Sequence, residues 1–272
     1  MGIFNNVLLL SDFDGTLTGS DGKIPKRNID SIKYFINEGG LFSVSTGRTK
    51  AGFHNFSEEF INAPVILANG AMAYDYKKDC VTFLNPIEKE VNRLLNEISN
   101  HKPYASIEIY SADHKTYVYN MNEASQKHFD GLKISDYTVI EDFEQISFPV
   151  VKIMLSVGEN TFDMQDFLRT TELKNIKFIP CTGPMVEILA ESAGKGNALL
   201  QLARHFGIKS TDAYAVGDGS NDVDMLNAAA IGFSPENSDD LALKACDVKV
   251  CSSDKGSIAD AIEYLRNIYT KI

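Results

Sequence analysis

Short apolar runs alternate with stretches of helical periodicity over about the first 70 residues of the chain. Val7–Asp12 is an almost continuous apolar run that ends in an acid, as is typical of a buried parallel strand. Pro25 can open a helix, and the isoleucines after it recur at helical spacing until Gly39–Gly40. Leu41–Ser45 and Pro64–Ala68 predict two more buried strands. Strands and helices in this order indicate a parallel α/β sheet.

The pattern changes to polar–apolar alternation between about residues 74 and 184. Ser106–Tyr110 and Thr116–Tyr119 alternate on either side of a turn and therefore predict a hairpin. Val91–Ile98 carries its apolar residues on one helical face. Further strands are predicted at Val150–Leu155 and Ile176–Ile179. The middle of the chain is therefore predicted to be an antiparallel α+β insert.

The parallel pattern returns near Met185 and continues to the end of the chain. Helices are predicted over Asn197–Phe206 and Ile258–Ile268, and strands over Ala213–Val216, Ile231–Phe233 and Val248–Val250. The two flanks are predicted to build one parallel sheet that the insert interrupts. The predicted fold class is therefore α/β, with an inserted α+β domain.

Composition and charge exclude several classes of protein. Lysine and arginine total 26 against 37 acidic residues, a formal net charge of −11, so the surface repels a phosphate backbone and nucleic acid is not an expected partner. No apolar run approaches the ~18 residues of a membrane span, and the first residues lack the basic region of a signal peptide. The four cysteines are scattered without zinc-ligand spacing, so we expect a reduced, cytoplasmic protein without membrane association.

Polar residues gather where three of the predicted parallel strands end. Asp12–Thr16 follows the first strand, Thr46–Arg48 the second and Gly217–Asp222 a later one, while Lys195 stands between glycines at the start of a helix. These groups are expected to meet at one edge of the sheet, where ligands bind. Clustered carboxylates suit a magnesium ion, and magnesium with a lysine suits a phosphate. Each group alone has an ordinary explanation as a cap, a turn or a surface charge, whereas their combination favours a site.

The same four groups resemble the signatures of the haloacid dehalogenase superfamily, and most of all its Cof-type sugar phosphatases. Asp12–Leu17 is similar to the first signature, Thr46–Arg48 to the second, Lys195–Gly196 to the third and Gly217–Leu226 to the fourth. The resemblance covers about residues 1–80 and 185–272. It implies a Rossmann-like parallel core of residues 1–81 and 185–272 and an α/β cap domain of residues 82–184.

The resemblance also implies a mechanism through an aspartyl-phosphate. Asp12 would attack phosphorus, and Asp14 would protonate the leaving oxygen and then activate water. Mg²⁺ would be held by the Asp12 carboxylate, the Asp14 backbone carbonyl, Asp218 and, directly or through water, Asp222. The phosphate would be bound by Thr46, the Gly47 amide, Lys195 and Asn221.

Several functions share these residues. The leading hypothesis is a magnesium-dependent phosphatase that acts on a small phosphorylated metabolite such as a sugar phosphate. The alternatives are a hexose phosphomutase, a sucrose-phosphate-type phosphatase and a non-catalytic phosphate sensor, although a sensor would not need Asp14. Structural or surface roles are expected for Arg48, His54 and Glu187.

The insert is predicted to supply specificity. It is expected to join the core through two crossings, near Tyr74–Leu84 and Pro180–Glu187, and to open and close around the substrate. Replacing residues 82–184 by a short linker should therefore lower kcat/KM far more for a large metabolite than for a small aryl phosphate. Steady-state kinetics of both substrates, in a variant shown to stay folded, measures this. An equal loss for the two would assign the insert to catalysis or folding instead.

Overall fold

The computed structural model describes residues 2–87, 91–157, 164, 166–168, 175–181 and 185–270. The chain divides into two compact units. The first unit comprises Met1–Gly47, Asn55–Phe83 and Gly194–Ile272, and the second comprises Arg48–His54 and Leu84–Ala193.

The first unit is built on a sheet that is mostly parallel. Its strands are β1 (Leu8–Asp12), β2 (Leu41–Ser45), β3 (Val65–Leu67), β4 (Met72–Asp75), β5 (Cys80–Leu84), β12 (Ala213–Val216), β13 (Gly232–Pro235) and β14 (Val248–Val250). Their order is β14-β13-β12-β1-β2-β3-β4-β5. Neighbours run parallel from β14 to β3, and β4 is antiparallel to β3. These parallel pairs confirm the predicted α/β fold with a parallel core. The central strand β1 is buried along its whole length, as is typical of a parallel strand covered on both faces.

The segment Tyr74–Leu84 holds the end of β4 and all of β5, which lie beside each other in the sheet. The first unit ends at Phe83 and the second resumes at Leu84, so the chain passes between the units within the segment where we expected the first crossing. The turn between β4 and β5 is closed by Asp75, whose Oδ1 accepts hydrogen bonds from the backbone N–H groups of Lys77 (3.0 Å) and Lys78 (3.1 Å). The second expected crossing, Pro180–Glu187, lies partly outside the described residues.

Helices cover this sheet. They are α1 (Lys26–Asn37), α4 (Lys195–His205), α5 (Val223–Ala228), α6 (Asp240–Ala245) and α7 (Ser257–Tyr269). The apolar face of α4, with Leu199 and Leu202, packs in one buried cluster with Leu8 and Leu10 of β1. Lys195, the first residue of α4, is thereby fixed next to the strand that carries Asp12.

The second unit has its own sheet. Its strands are β6 (Ser106–Ser111), β7 (Thr116–Tyr119), β8 (Thr138–Ile140), β9 (Val150–Ser156), β10 (Ile176–Pro180) and β11 (Met185–Ala190), in the order β10-β11-β9-β6-β7-β8. Its helices include α2 (Val91–His101) and α3 (Glu123–Leu132). In the part of the chain that the structure describes, no helix is both long and apolar enough to cross a bilayer.

The second sheet is mostly antiparallel, with one parallel pair. The predicted hairpin of β6 and β7 is confirmed, with Ile107 opposite Tyr119. However, β7 and β8 run parallel, which the prediction of an antiparallel α+β insert did not include. Parallel neighbours need a crossover connection, and α3 supplies it here. Strand β11 pairs with β9 and β10, although its residues follow the predicted end of the insert at residue 184.

A tight left-handed turn follows β3. Ala68, Asn69 and Gly70 have φ values of 49°, 51° and 92° in succession. A Cβ at Gly70 would lie 2.2 Å from the backbone oxygen of Gly194, which directly precedes α4. Glycine is therefore required here both for its left-handed backbone and for the close approach of the two chain segments.

Replacement of Gly70 by alanine should destabilise the protein strongly. We expect Gly70→Ala to lower the free energy of unfolding by more than about 2 kcal/mol, because overlap with Gly194 adds to backbone strain. The matched control is Gly131→Ala in α3, where a Cβ meets nothing within 4 Å, and there we expect a gain of up to ~1 kcal/mol. Urea unfolding followed by circular dichroism measures both. Equal effects of the two substitutions would contradict the packing argument.

Candidate active site

The chemistry-bearing residues of the first unit meet at the carboxyl edge of its parallel strands. Strand β1 ends at Asp12, which stands opposite Ser45 at the end of β2. On its other side β1 pairs with β12, whose last residue, Val216, leads into Gly217–Asp222. Sequence reasoning expected this meeting, because neighbouring parallel strands end on the same side of a sheet.

The loop after β1 lies against Asp218. The backbone N–H of Thr18 donates to the Phe13 oxygen (3.0 Å) and closes the loop. Gly15 has a φ of 83°, and a Cβ there would lie 2.6 Å from Asp218 Oδ2. The Thr16 hydroxyl donates a hydrogen bond to Asp218 Oδ1. The loop that begins at the candidate nucleophile therefore also positions a carboxylate from the far end of the chain.

Lys195 is a buried cation shared by two carboxylates. It is 1% exposed, and its Nζ lies 2.5 Å from Asp12 Oδ1 and 2.6 Å from Asp222 Oδ1. Burial lowers the pKa of Lys195, but the charges of Asp12 and Asp222 outweigh it and raise the pKa above the usual value. The side chain therefore stays an ammonium and holds Asp12 in place by a charge-assisted hydrogen bond.

Asp222 organises the loop that contains Asp218. Its Oδ2 accepts hydrogen bonds from the backbone N–H groups of Asp218 (3.0 Å) and Gly219 (2.9 Å), while Oδ1 accepts from Lys195. Asp222 is fully buried, and both of its oxygens are engaged. This arrangement suits a residue that positions the loop and reaches a metal through water better than a direct ligand.

Three carboxylates could hold a cation. Oxygens of Asp12, Asp218 and Asp222 all lie within 4.8 Å of one another. Among the described residues, neither Asp12 Oδ2 nor Asp218 Oδ2 accepts a hydrogen bond, so each offers an open oxygen. Burial, and then the charge of Asp222, raises the pKa of Asp12 well above its usual value, and burial also raises the pKa of Asp218. A hard divalent cation such as Mg²⁺ fits these oxygen donors and would offset their repulsion.

The other predicted residues lie around this cluster in the first unit. Thr46 is 1% exposed, and its backbone is held by two hydrogen bonds. The Thr46 N–H donates to the Ile66 backbone oxygen (2.9 Å), and the Thr46 backbone oxygen accepts from the Asn69 N–H (3.0 Å). A Cβ on Gly47 would lie 3.2 Å from the side-chain amide of Asn69. The side chain of Asp14 is exposed, and its carboxylate is outside the group of three.

Two polar residues of this region were missed by sequence reasoning. Asn69 reaches the predicted phosphate ligands, because the Nδ2 of Asn221 donates to its Oδ1 (3.4 Å). The Asn69-Gly70 pair was a turn signal that could have identified it. Thr16 was quoted only as part of a motif, yet its hydroxyl binds Asp218. Nearby, Asp224 accepts a hydrogen bond from the Gly196 N–H (3.1 Å) at the start of α4.

Residues expected to have structural roles do have partners within the second unit. Glu187 is 3% exposed and accepts a hydrogen bond from Lys152 Nζ at 2.7 Å. His54 Nε2 donates to the Leu132 oxygen (3.2 Å), and Arg48 Nη1 lies 3.5 Å from the Gly52 oxygen.

Comparison with known proteins gives consistent matches over most of the chain. The family model of the haloacid dehalogenase-like hydrolases matches residues 9–262. The 5-amino-6-(5-phospho-D-ribitylamino)uracil phosphatase YwtE of Bacillus subtilis is 27% identical, with 93% of this chain and 96% of that protein covered. A putative phosphatase of Buchnera aphidicola is also 27% identical, with 97% and 98% covered.

Solved structures share the fold. The haloacid dehalogenase subclass IIB sugar phosphatase BT4131 superimposes with a TM-score of 0.82 at 24% identity, covering 96% of this chain and 99% of that one. The phosphatase BT1666 of Bacteroides thetaiotaomicron gives 0.83 at 19% identity, covering 97% and 96%. The parallel core with an inserted second unit is therefore an established architecture.

Because the pKa of Asp12 is raised in the folded protein, removing its charge should stabilise the fold by an amount that depends on pH. The folded, metal-free protein binds the Asp12 proton more tightly than the unfolded chain does. Protonated Asp12 therefore stabilises the fold, and this contribution is lost as the pH rises from the unfolded-chain pKa of about 4 through the raised pKa of the folded protein. The amide that replaces the carboxyl group in Asp12→Asn does not titrate. In chelator, this variant should therefore be more stable than the wild type, by an amount that grows with pH.

Urea unfolding at several pH values measures this difference. Asp14→Asn removes the same charge from an exposed side chain two residues away and serves as the control. A stability difference between Asp12→Asn and the wild type that does not change with pH would refute the burial argument.

Proposed function

The chain belongs to the haloacid dehalogenase-like hydrolase family and is a phosphatase, and we propose that it hydrolyses a small phosphomonoester with Mg²⁺ through an aspartyl-phosphate. One observation carries the proposal. Asp12 has one carboxylate oxygen held by Lys195, its other oxygen accepts no hydrogen bond among the described residues, and the carboxylates of Asp218 and Asp222 lie close by. This is the arrangement that an anionic nucleophile needs when it attacks an anionic phosphate.

In the proposed reaction the open oxygen of Asp12 attacks phosphorus in line with the leaving oxygen. Thr46, the Gly47 amide and Asn221 bind the phosphoryl oxygens, and Lys195 offsets charge on Asp12 and on the phosphate. Asp12 and Asp218 would hold Mg²⁺, together with the Asp14 backbone carbonyl and Asp222 through water. The ion would supply positive charge where the phosphoryl oxygens gather negative charge.

Asp14 is proposed as the acid and base. Its carboxyl group gives a proton to the leaving oxygen and then takes one from the water that attacks the aspartyl-phosphate. The exposure of its side chain supports this role, because a leaving group and an attacking water can both reach an exposed carboxylate.

The substrate is proposed to be a phosphorylated sugar, sugar alcohol or similar metabolite. Two similarities support this class: YwtE acts on a phosphoribitylamino compound by its name, and BT4131 is described as a sugar phosphatase. We also propose the second unit as the cap that distinguishes among such substrates.

Release of inorganic phosphate from p-nitrophenyl phosphate tests the proposal directly. We expect turnover with Mg²⁺, none in excess chelator, and inhibition by Ca²⁺, whose longer bonds and higher coordination number loosen the in-line geometry. A phosphomutase would instead return the phosphoryl group to a sugar, and a phosphate sensor would release none. Full activity in chelator would eliminate the proposed metal site.

Substitution of the two aspartates separates their roles. Asp12→Asn should lower kcat on the order of a thousandfold or more, because the amide is a poor nucleophile. Asp14→Asn should retain phosphorylation by an aryl phosphate, whose leaving group needs little protonation, but should accumulate the phosphoenzyme. Rapid-quench mass spectrometry of the intact protein detects the added phosphoryl group. Substantial activity of pure Asp12→Asn would remove this residue as the nucleophile.

A further inference from the structure

The second unit contains a cavity of about 510 Å³ that none of the carboxylate-cluster residues lines. Its wall comes from three segments: residues 50–54, the turn that joins β6 to β7, and the residues between α3 and β8. The volume lies within the roughly 300–1,000 Å³ range of small-molecule pockets. The His54 hydrogen bond to Leu132 joins the first segment to the end of α3.

The lining is basic in a chain that is acidic. Lys50, Lys115 and Lys133 line the cavity together with two histidines, and Asp136 is the one carboxylate among the described lining residues. The whole chain carries a formal charge of −11. A local excess of cations in such a chain concentrates anions at this cavity.

Lys133 is available to a ligand. It caps α3 in a left-handed conformation with a φ of 56°, and its side chain forms no ion pair among the residues that the structure describes. Lys115, in contrast, already lies 3.2 Å from Asp113. The two lysines therefore differ, and the stronger contribution to binding an anion is expected from Lys133.

Thr116 provides an independent observation. This residue of β7 lines the cavity and is only 2% exposed, yet its hydroxyl has no hydrogen-bond partner among the described residues. A buried hydroxyl without a partner destabilises a fold. An anion bound in the basic cavity would accept a hydrogen bond from this hydroxyl and so remove the cost of burying it.

We propose that this cavity binds the phosphate group of a small molecule, at a site additional to the catalytic one. Lysines act as point charges that suit a tetrahedral phosphate, and none of the described lining residues is an arginine that could bind a planar carboxylate through two hydrogen bonds. Hydroxyls of Thr116, Ser135 and Thr138 supply further donors. The inference is independent of the proposed hydrolysis, since every lining residue belongs to the second unit.

Histidine NMR can locate the binding. The chain has five histidines, of which His54 and His114 line the cavity, whereas His101, His128 and His205 do not. The full-length Asp12→Asn chain in chelator is titrated with inorganic phosphate at constant pH and ionic strength, so that no turnover is needed. We expect saturable shifts of the His54 and His114 imidazole signals and no shifts of the other three. Sodium chloride at matched ionic strength should not reproduce them.

Two variants and a control test the residues in the same background. Lys133→Gln should raise the Kd for phosphate on the order of fivefold. Thr116→Val should raise the Kd by a similar factor while increasing the Tm, a combination that a purely structural threonine does not produce. Lys127→Gln is the control, because Lys127 pairs with Glu123 on the exposed face of α3 and does not line the cavity.

The outcomes decide between binding and its absence. A phosphate ester that binds more tightly than inorganic phosphate supports a phosphorylated metabolite as the ligand, and equal affinity supports free phosphate. The proposal is overturned if the His54 and His114 signals do not shift saturably. It is also overturned if Lys133→Gln and Thr116→Val both keep the Kd of their Asp12→Asn parent. Failure here leaves the phosphatase assay untouched, because that assay reads the carboxylate cluster alone.

Discussion

The ammonium group of Lys195 is the contact on which the rest of the candidate site depends. Two buried carboxylates, those of Asp12 and Asp222, share this one cation, and each would be costly to bury without it. Because Asp222 also binds the backbone of the loop that carries Asp218, the lysine indirectly fixes the third carboxylate. Removing the cation would therefore disturb both Asp12, the proposed nucleophile, and the geometry of the three carboxylates that could hold a metal.

The position of the lysine depends in turn on backbone packing. Gly70 and Gly194 approach so closely that neither strand β3 nor helix α4 could shift without the other. The left-handed turn at Gly70 also presents Asn69 to Asn221 and Gly47. The left-handed turn at Gly70 and the start of α4 thus place residues from three separate sequence motifs at the same sheet edge. The surrounding packing compensates for the backbone strain of the turn.

The sequence predicted the parts of the molecule that obey local rules. Strand β1 was recognisable because a strand buried on both faces is a continuous apolar run, and the polar residues at strand ends marked the site. Asn69 was missed because its importance comes from a left-handed turn and a contact 152 residues away. The parallel pairing of β7 and β8 was missed because β8 itself was not predicted, since its three residues are too few to show a clear alternation. The roles of Asp14 and of the cap residues depend on a bound substrate and remain predictions.

The separation in sequence of the site residues has a consequence for synthesis of the chain. Lys195 contacts Asp12 across 183 residues, and Thr16 contacts Asp218 across 202. Strand β1 also lacks its neighbour β12 until the last quarter of the chain has been made, whereas the contacts within the second unit are complete once residue 193 has emerged. A ribosome-bound chain therefore has a folded insert before it has a finished core. Until Lys195 has been made, the Asp12 carboxylate lacks the cation that holds it, so the candidate site cannot be complete on a growing chain.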